Sequence, residues 1–529
     1  EKLAEMMAAA LRHRGPDDHG TFSDGNATLG HLRLSILDLS AAGHQPMSDK
    51  EGKIWISYNG EIYNFKELRS DLEKRGYIFK SQTDTEVILC GYKEYGLDFL
   101  KKMRGMWALA IYDARENQLI LSRDFFGIKP LYYSWRGRDL IFASEIRAFG
   151  AKISAFGGNA YFVLGYVPHP WTIFENVKKV SPGEVLIFNL KNKSLNSRQM
   201  SLSDTADGEA ASDPRDFESV MLESVEKHLI SDVPVGIFLS GGADSSLLAV
   251  MLKKMGRTPK AFTVRLSGKK DADFAGKIAN FAGLDHREIL MNEENFEEMY
   301  LRLFETLDEP IADTALFPTM LVAKEASKQV KVVMTGEGGD ELFWGYERYQ
   351  NLVGLNRVGG GYPSFFSRPE SIFYLNYIKP LLRRFRLLYF SAKKDLLGSY
   401  LGYVSIDSDF GNKSEVYKYF TASAQAKNLP PSFFDEKFYL PDNLLKKTDF
   451  ATMSYSLEGR VPFLDREVYK FATNLAPSEK FAEGSGKKIV KEYLASSLPP
   501  ELIFRKKEGF SVNPQIYIFK NHKAEIKEA

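Results

Sequence analysis

The run VGIFLSGGADSSLLAVMLKKM (235–255) narrows the fold more than any other. An apolar segment of strand length ends at two glycines, and an aliphatic segment of helical length follows at once. The alternation repeats downstream. We read strands at VGIFLS (235–240), KAFTVRL (260–266), REILM (287–291) and VKVVMTG (330–336). Helices are expected at 245–255, around 272–284 and at NFEEMYLRLFETL (295–307). Repeated strand–helix units call for an open parallel sheet, with ligands at the carboxyl ends of its strands.

The preceding part reads differently. KIWISYNGEIYNF (53–65), MWALAIYDA (106–114), QLILSRD (118–124), DLIFAS (139–144) and VSPGEVLIFNL (180–190) are short β segments with few crossover helices between them. That pattern favours a layered α+β domain. SRQMSLSDTADGEAASDPRD (197–216) is polar and small, which is linker composition. We therefore expect one domain over 1–195, a linker over 196–216 and a second domain over 217–529. The last part is helix-rich, and aromatic runs such as FRLLYFSAKKDLLGSYLGYV (385–404) read as buried helical packing.

Composition excludes several function classes. Lys plus Arg number 70 against 69 for Asp plus Glu, so no electrostatic footprint for nucleic acid or a membrane surface exists. No apolar run reaches the roughly 18 residues of a transmembrane helix. The single cysteine, Cys90, rules out an internal disulfide and fits a cytoplasmic protein. The chain begins EKLAEMMAAALRH, with neither initiator methionine nor signal peptide, and we expect further N-terminal sequence to precede it.

The glycine loop itself suggests phosphate chemistry. Between a strand and a helix, the N–H groups around Gly241 and Gly242 are donors for an anion, and Ser240, Ser245 and Ser246 add hydroxyls. Asp244 would repel phosphate unless it held a cation, so a Mg²⁺ bridge is expected. There is no lysine after the second glycine to reach β- and γ-oxygens. The loop therefore suits a departing pyrophosphate, with attack at the α-phosphate of ATP and an acyl-adenylate product.

SGGADSS is similar to the PP-loop signature of ATP pyrophosphatases. Together with GEGGDELFWGY (336–346) and SLEGRVPFLD (456–465), it makes the chain resemble the glutamine-dependent asparagine synthetase family. RGPDDHG (14–20), RLSILDLS (33–40), YNGEIYNF (58–65), TDTEVIL (83–89) and RDFFGIKPLYY (123–133) resemble that family's class II glutaminase domain. The resemblance runs through nearly the whole chain in the family's order. It implies an Ntn-type αββα layered domain, then a parallel-sheet PP-loop α/β domain with a helical C-terminal part.

The resemblance also implies roles. Leu239 and Val264 would contact the nucleotide, Ser240, Gly241, Gly242, Asp244, Ser245 and Ser246 its pyrophosphate, and Thr335 and Gly336 its AMP portion. Asp340 would join Asp244 on Mg²⁺, Glu337 would accept a proton from ammonia, and Lys487 would neutralise charge at the α-phosphate. In the first domain Arg33 would clamp the glutamine carboxylate and Asp84 its ammonium, while Asn59 and Gly60 would form an oxyanion hole, with Glu61 beside them. Locally, Asn59-Gly60 reads as a hairpin turn, and we expect a turn with this second use.

The family's nucleophile is an N-terminal cysteine, which Cys90 cannot replace: EVILCGYKEYG (86–96) reads as a helix with Cys90 packed in it. The implied partners are glutamine and aspartate, or another small carboxylic acid such as a sugar uronate, with a homodimer as the assembly. Trp344 and DEPIADTALFPT (308–319) are where the choice of acceptor is expected to lie.

Overall fold

The computed structural model describes residues 2–135, 137, 139–149, 152–202, 216–349, 400, 404, 415–423, 429–482, 485–505 and 512. The aromatic run 385–404 lies almost wholly outside the described residues, and so does most of the expected linker. After helix α1 (Lys2–Ala10), the first part is built on strands β1 (Asp18–Ser23), β2 (Thr28–Arg33), β3 (Met47–Ser48), β4 (Ile54–Ile62), β5 (Gly105–Asp113) and β6 (Gln118–Arg123). It continues with β7 (Tyr132–Trp135), β8 (Leu140–Ala143), β9 (Lys178–Lys179), β10 (Glu184–Asn189) and β11 (Leu195–Gln199).

A six-stranded antiparallel sheet runs in the order β11-β10-β6-β5-β4-β3, and a three-stranded sheet in the order β8-β7-β9. The segment MWALAIYDA explains the layering. Its large residues Trp107, Leu109 and Ile111 face helices α2 (Phe65–Lys74) and α3 (Asp84–Tyr95), packing on Leu72, Val87 and Ile88. Its alternate residues Ala108, Ala110 and Tyr112 face the other way, onto Leu29, Tyr133 and Val180 of the second β layer. Tyr132, next to Tyr133, then packs against Ala160 and Leu164 of helix α4 (Ala155–Leu164). The period-2 alternation of a strand thus produces the expected αββα layers.

One local expectation is corrected. Asn59-Gly60 is not a turn: β4 passes straight through it, with Asn59 opposite Ala108 and Gly60 opposite Trp107. A hairpin there would reverse the chain, but β4 runs on past Gly60 in unbroken register against β5, from Ile54 opposite Asp113 to Ile62 opposite Gly105. The glycine is needed for close approach. A Cβ at residue 60 would lie 2.1 Å from the Met106 carbonyl oxygen and 2.9 Å from the Trp107 Cα.

The second part contains helix α5 (Phe217–His228), then β12 (Val235–Phe238), α6 (Ala243–Lys254), β13 (Lys260–Arg265), α7 (Asp271–Ala282), β14 (Asp285–Leu290), α8 (Glu293–Thr306), α9 (Leu316–Ser327), β15 (Val332–Met334) and β16 (Glu458–Arg460). All five strands are parallel, in the order β14-β13-β12-β15-β16. The chain goes from β12 outward to β14, returns, and continues on the other side with β15 and β16. The order therefore reverses between β12 and β15, and at such a switch point the loops diverge and leave a crevice.

Because the obstacle at residue 60 is backbone, Gly60→Ala should destabilise the first domain by at least about 1–3 kcal/mol. Gly30→Ala, where nothing lies within 4 Å of the added Cβ, should stay within about 0.5 kcal/mol of the parent. Paired denaturant titrations read both. Equal stabilities would show that β4 and β5 do not approach as described.

Candidate active sites

Two cavities hold most of the residues singled out from the sequence. The first, about 220 Å³, opens at the switch point. Leu239, Ser240, Gly242, Asp244 and Ser245 come to it from the end of β12 and the start of α6, and Val264 from β13. Thr335, Gly336, Glu337 and Asp340 follow β15 into it. Gly241 has φ +72°, and a Cβ there would also meet the Asp271 carbonyl oxygen at 2.6 Å, so glycine is demanded twice.

The loop is held by its own serines. Ser245 Oγ accepts from the Ser240 N–H at 3.2 Å, Ser240 Oγ accepts from the Gly242 N–H at 3.3 Å, and the Ser246 hydroxyl donates to the Gly242 carbonyl at 2.7 Å. Gly242 caps α6, so the positive end of that helix points at the crevice.

Lys487 sits between two carboxylates. Its Nζ lies 2.5 Å from Asp244 Oδ2 and 2.6 Å from Asp340 Oδ1. Burial opposes its charge, but the two aspartates outweigh this and hold the ammonium above its ordinary range. Lys487 has φ +60° at the start of helix Lys488–Ala495, and its N–H donates to the Phe343 carbonyl at 2.9 Å. The next lysine, Lys488, turns away to the Ser478 carbonyl. Glu337 accepts from the Thr448 hydroxyl at 2.8 Å.

Asp244 and Asp340 share one ammonium, so they are close enough to share one metal cation. No group of three or more His, Cys, Asp or Glu able to hold a metal occurs among the described residues. A Mg²⁺ here would draw its other ligands from phosphate and water, as that ion commonly does. The charge of the cavity fits such an ion. Asp244, Asp271, Glu337, Asp340 and Glu341 line the cavity with Lys447 as its one basic lining residue among those described, so a triphosphate needs counter-charge to enter.

The second cavity, about 420 Å³, lies in the first domain and brings together Arg33, Asn59, Gly60, Glu61 and Asp84. The Arg33 guanidinium is aimed by the backbone carbonyls of Leu37, Asp38 and Ser40. Asp84 starts α3 and accepts from the Tyr58 hydroxyl at 2.8 Å and the Ile62 N–H at 2.9 Å. Burial nevertheless pushes its carboxyl up to about 6. Asn59 Nδ2 and Glu61 Oε1 are buried without a hydrogen-bond partner among the described residues. The other oxygen of Glu61 takes a 2.8 Å bond from Arg460 of the second domain.

Cys90 is not among the lining residues; it lies on α3 and packs against the core beneath it, and burial pushes its thiol up to about 11, away from nucleophile behaviour. Trp344 does not line the first cavity either. It is buried, with Nε1 donating to the Ser432 hydroxyl, and its loop supports Lys487 through Phe343 and Gly486. Of the segment 308–319, Ala315 and Thr319 reach the wall.

Four residues near the cavities went unassigned in the sequence. Tyr346 lies inside GEGGDELFWGY (336–346), a motif in which Gly336, Glu337, Asp340 and Trp344 carry the expectations. Arg460 lies inside SLEGRVPFLD (456–465). Lys447 and Thr448 precede SLEGR, and their only signal was a lysine pair on an apolar helix.

Residues 216–528 match the asparagine synthase family, and residues 1–199 match the glutamine amidotransferase domain family. Asparagine synthetase 1 (glutamine-hydrolyzing) of Bacillus subtilis strain 168 is 33% identical over 540 residues, covering 97% of this chain and 84% of the relative. Asparagine synthetase 3 (glutamine-hydrolyzing) of the same organism is 28% identical over 540 residues, covering 96% of this chain and 84% of the relative. Amidase chry2 of Gibberella zeae is 29% identical over 539 residues, covering 90% of this chain and 79% of its own. With the two cavities in place and these matches spanning both halves, the chain belongs to the asparagine synthase family and is a glutamine-dependent amidotransferase.

Proposed function

We propose that the protein makes asparagine from aspartate, ATP and glutamine through a β-aspartyl-AMP intermediate. The observation that carries this reading is the convergence of Asp244, Asp340 and Lys487 beside Glu337 at the switch point. In the first step an aspartate β-carboxylate oxygen bonds to the α-phosphorus and the bond to the β-phosphate oxygen breaks. Leu239, Val264, Thr335 and Gly336 hold the nucleoside and α-phosphate end. The Ser240–Ser246 loop holds the departing pyrophosphate, and Lys487 offsets charge at the α-phosphate.

Asp244 and Asp340 would hold Mg²⁺, which supplies the charge neutralisation that lets a triphosphate enter this acidic crevice. In the second step ammonia attacks the acyl carbon, Glu337 takes a proton from the attacking nitrogen, and AMP leaves.

In the other cavity Arg33 pairs with the glutamine carboxylate, Asp84 and Glu61 face its ammonium, and the Asn59 amide with the Gly60 N–H stabilises the oxyanion. We take residues 1–199, through β11 of the first sheet and four residues beyond the boundary expected at 195, as the glutaminase unit, and 217–529 as the synthetase unit. A cytoplasmic location accords with the single cysteine, and no helix among the described residues is long and apolar enough to cross a membrane.

Supplying ATP, Mg²⁺, ammonium and aspartate bypasses the glutaminase, and should give AMP, pyrophosphate and asparagine in equal amounts. Glu337→Gln should lower asparagine formation about 10²- to 10⁴-fold. No AMP from aspartate, but AMP from uronic acids, would shift the reading to another acceptor by the same chemistry.

The glutamine site makes a separate prediction. Its ligand's ammonium requires ionised Asp84, whose carboxyl lies near 6 when empty. Glutamine affinity, measured by calorimetry, should therefore be flat above pH 6 and weaken toward about tenfold per pH unit below it. Asp84→Asn keeps an acceptor for Tyr58 and Ile62 and should bind weakly with no such slope. A wild-type affinity indifferent to pH would remove Asp84 from the ammonium.

A further inference from the structure

The Lys487 ammonium stands where a divalent metal held by the same carboxylates would have to stand. Its Nζ lies 2.5 Å from Asp244 Oδ2 and 2.6 Å from Asp340 Oδ1. A Mg²⁺ bridging those two oxygens would sit about 2.0–2.1 Å from each, a position that overlaps the ammonium. Two cations so close, away from water, repel strongly. The surrounding backbone leaves little room for both. A Cβ at Gly345 would lie 1.9 Å from Asp340 Oδ1 and 2.3 Å from Lys487 Cε, and one at Gly339 would lie 2.5 Å from Asp244 Oδ1, the oxygen turned away from the lysine.

The lysine can yield this place only by moving its side chain. Its main chain is fixed at the start of helix Lys488–Ala495, with the N–H on the Phe343 carbonyl at 2.9 Å, whereas its four-carbon stem can rotate. Retreat along the helix meets a like charge. Lys491, one turn on, donates to the Ser485 hydroxyl, and burial and the neighbouring Lys487 both work against its own charge. A buried ammonium drawn off its carboxylates with no other anion to meet is strongly disfavoured. The phosphates of a nucleotide on the Ser240–Ser246 loop are such an anion, and they lie on the Asp244 side of the cavity.

We propose that the Lys487 ammonium and Mg²⁺ exclude each other at the Asp244–Asp340 pair, so that the metal enters only as the nucleotide's phosphates draw the lysine off the carboxylates. This rests on the reading of Asp244 and Asp340 as metal ligands given above, and adds the order of entry to it. The site takes the metal–nucleotide complex and refuses the metal alone. Metal and nucleotide then bind cooperatively, each strengthening the other by the same factor.

Mn²⁺ can stand in for Mg²⁺, because its free ion is counted directly by electron paramagnetic resonance. Without nucleotide, Lys487→Gln should bind Mn²⁺ about 10- to 100-fold more tightly than the wild type. Lys487→Arg, which keeps the charge, should stay weak. Adding Asp340→Asn to Lys487→Gln should remove the gain, which ties the ion to this pair. A second measurement needs no variant. The melting temperature of the wild type should be unmoved by Mn²⁺ alone, yet rise further with Mn²⁺ plus α,β-methylene-ATP, which resists cleavage at the reacting bond, than with that nucleotide alone.

Equal Mn²⁺ affinities for the wild type and Lys487→Gln would overturn the exclusion while leaving the metal site intact. So would a wild type stabilised by Mn²⁺ alone as much as Mn²⁺ adds in the presence of nucleotide. If Mn²⁺ adds nothing to nucleotide binding, and Asp340→Asn binds the nucleotide with Mn²⁺ as well as the wild type does, Asp244 and Asp340 are not the metal's ligands. The exclusion then falls together with that reading.

Discussion

The guanidinium of Arg460 is the point on which the two halves of the molecule depend. It is fully buried, and each of its nitrogens has a partner. Nε donates to Glu458 at 2.9 Å, Nη1 to the carbonyls of His228 and Ile230, and Nη2 to Glu61 at 2.8 Å. Glu458 in turn lies 3.3 Å from Lys129 of the first domain. Two carboxylates and two cations thus meet across the domain boundary, all of them buried. Burial works against the charge of Glu458, but Lys129 and Arg460 outweigh it and hold that carboxyl low. Glu61 goes the other way: burial, with Asp84 and Glu458 nearby, pushes it up despite the arginine. Removing one member of such a network leaves a buried charge uncompensated, typically at about 3–5 kcal/mol.

Both cavities hang from this cluster. Glu61 and Glu458 line the glutamine-type cavity. On the other side, the main-chain carbonyl of Arg460 accepts from the Thr335 N–H at 2.9 Å, at the residue where β15 opens into Gly336 and Glu337. Strand β16 is therefore both the edge of the parallel sheet and the support of the first domain's pocket. The two sites are built on one short strand, and these hydrogen bonds and ion pairs fix their relative position together with apolar packing, since Tyr63, Met106 and Ile128 of the first domain share a core cluster with Phe217, Val461 and Phe463.

The sheet elements were legible because their period was strong. In MWALAIYDA, large and small residues alternate, and each set meets a different layer. In the parallel half, the apolar runs 235–240, 260–266, 287–291 and 330–336 fall on β12, β13, β14 and β15, and the strands end within two residues of the expected points. Asn59-Gly60 misled because the same dipeptide serves a turn, where φ must be positive, and a strand crossing, where a side chain would collide with the Met106 carbonyl. Only the partner strand distinguishes these cases, and β5 lies far along the chain. The cavity's acidic residues could be read from spacing within one motif. Lys447 could not, because its meaning comes from Asp313 and Glu337, which other segments supply.

Trp344 shows the same limit at the level of specificity. A bulky residue beside an acidic motif suggests a pocket wall, yet its left-handed backbone turns the ring into the protein, onto Ser432 and Lys480. Its backbone closes on Gly486, and neighbouring Phe343 accepts from the Lys487 N–H. The residue therefore supports the loop side of the cavity, helping to fix where the Lys487 ammonium stands between Asp244 and Asp340. Tyr346, two positions further on, and Lys447, about a hundred positions away, do line the cavity.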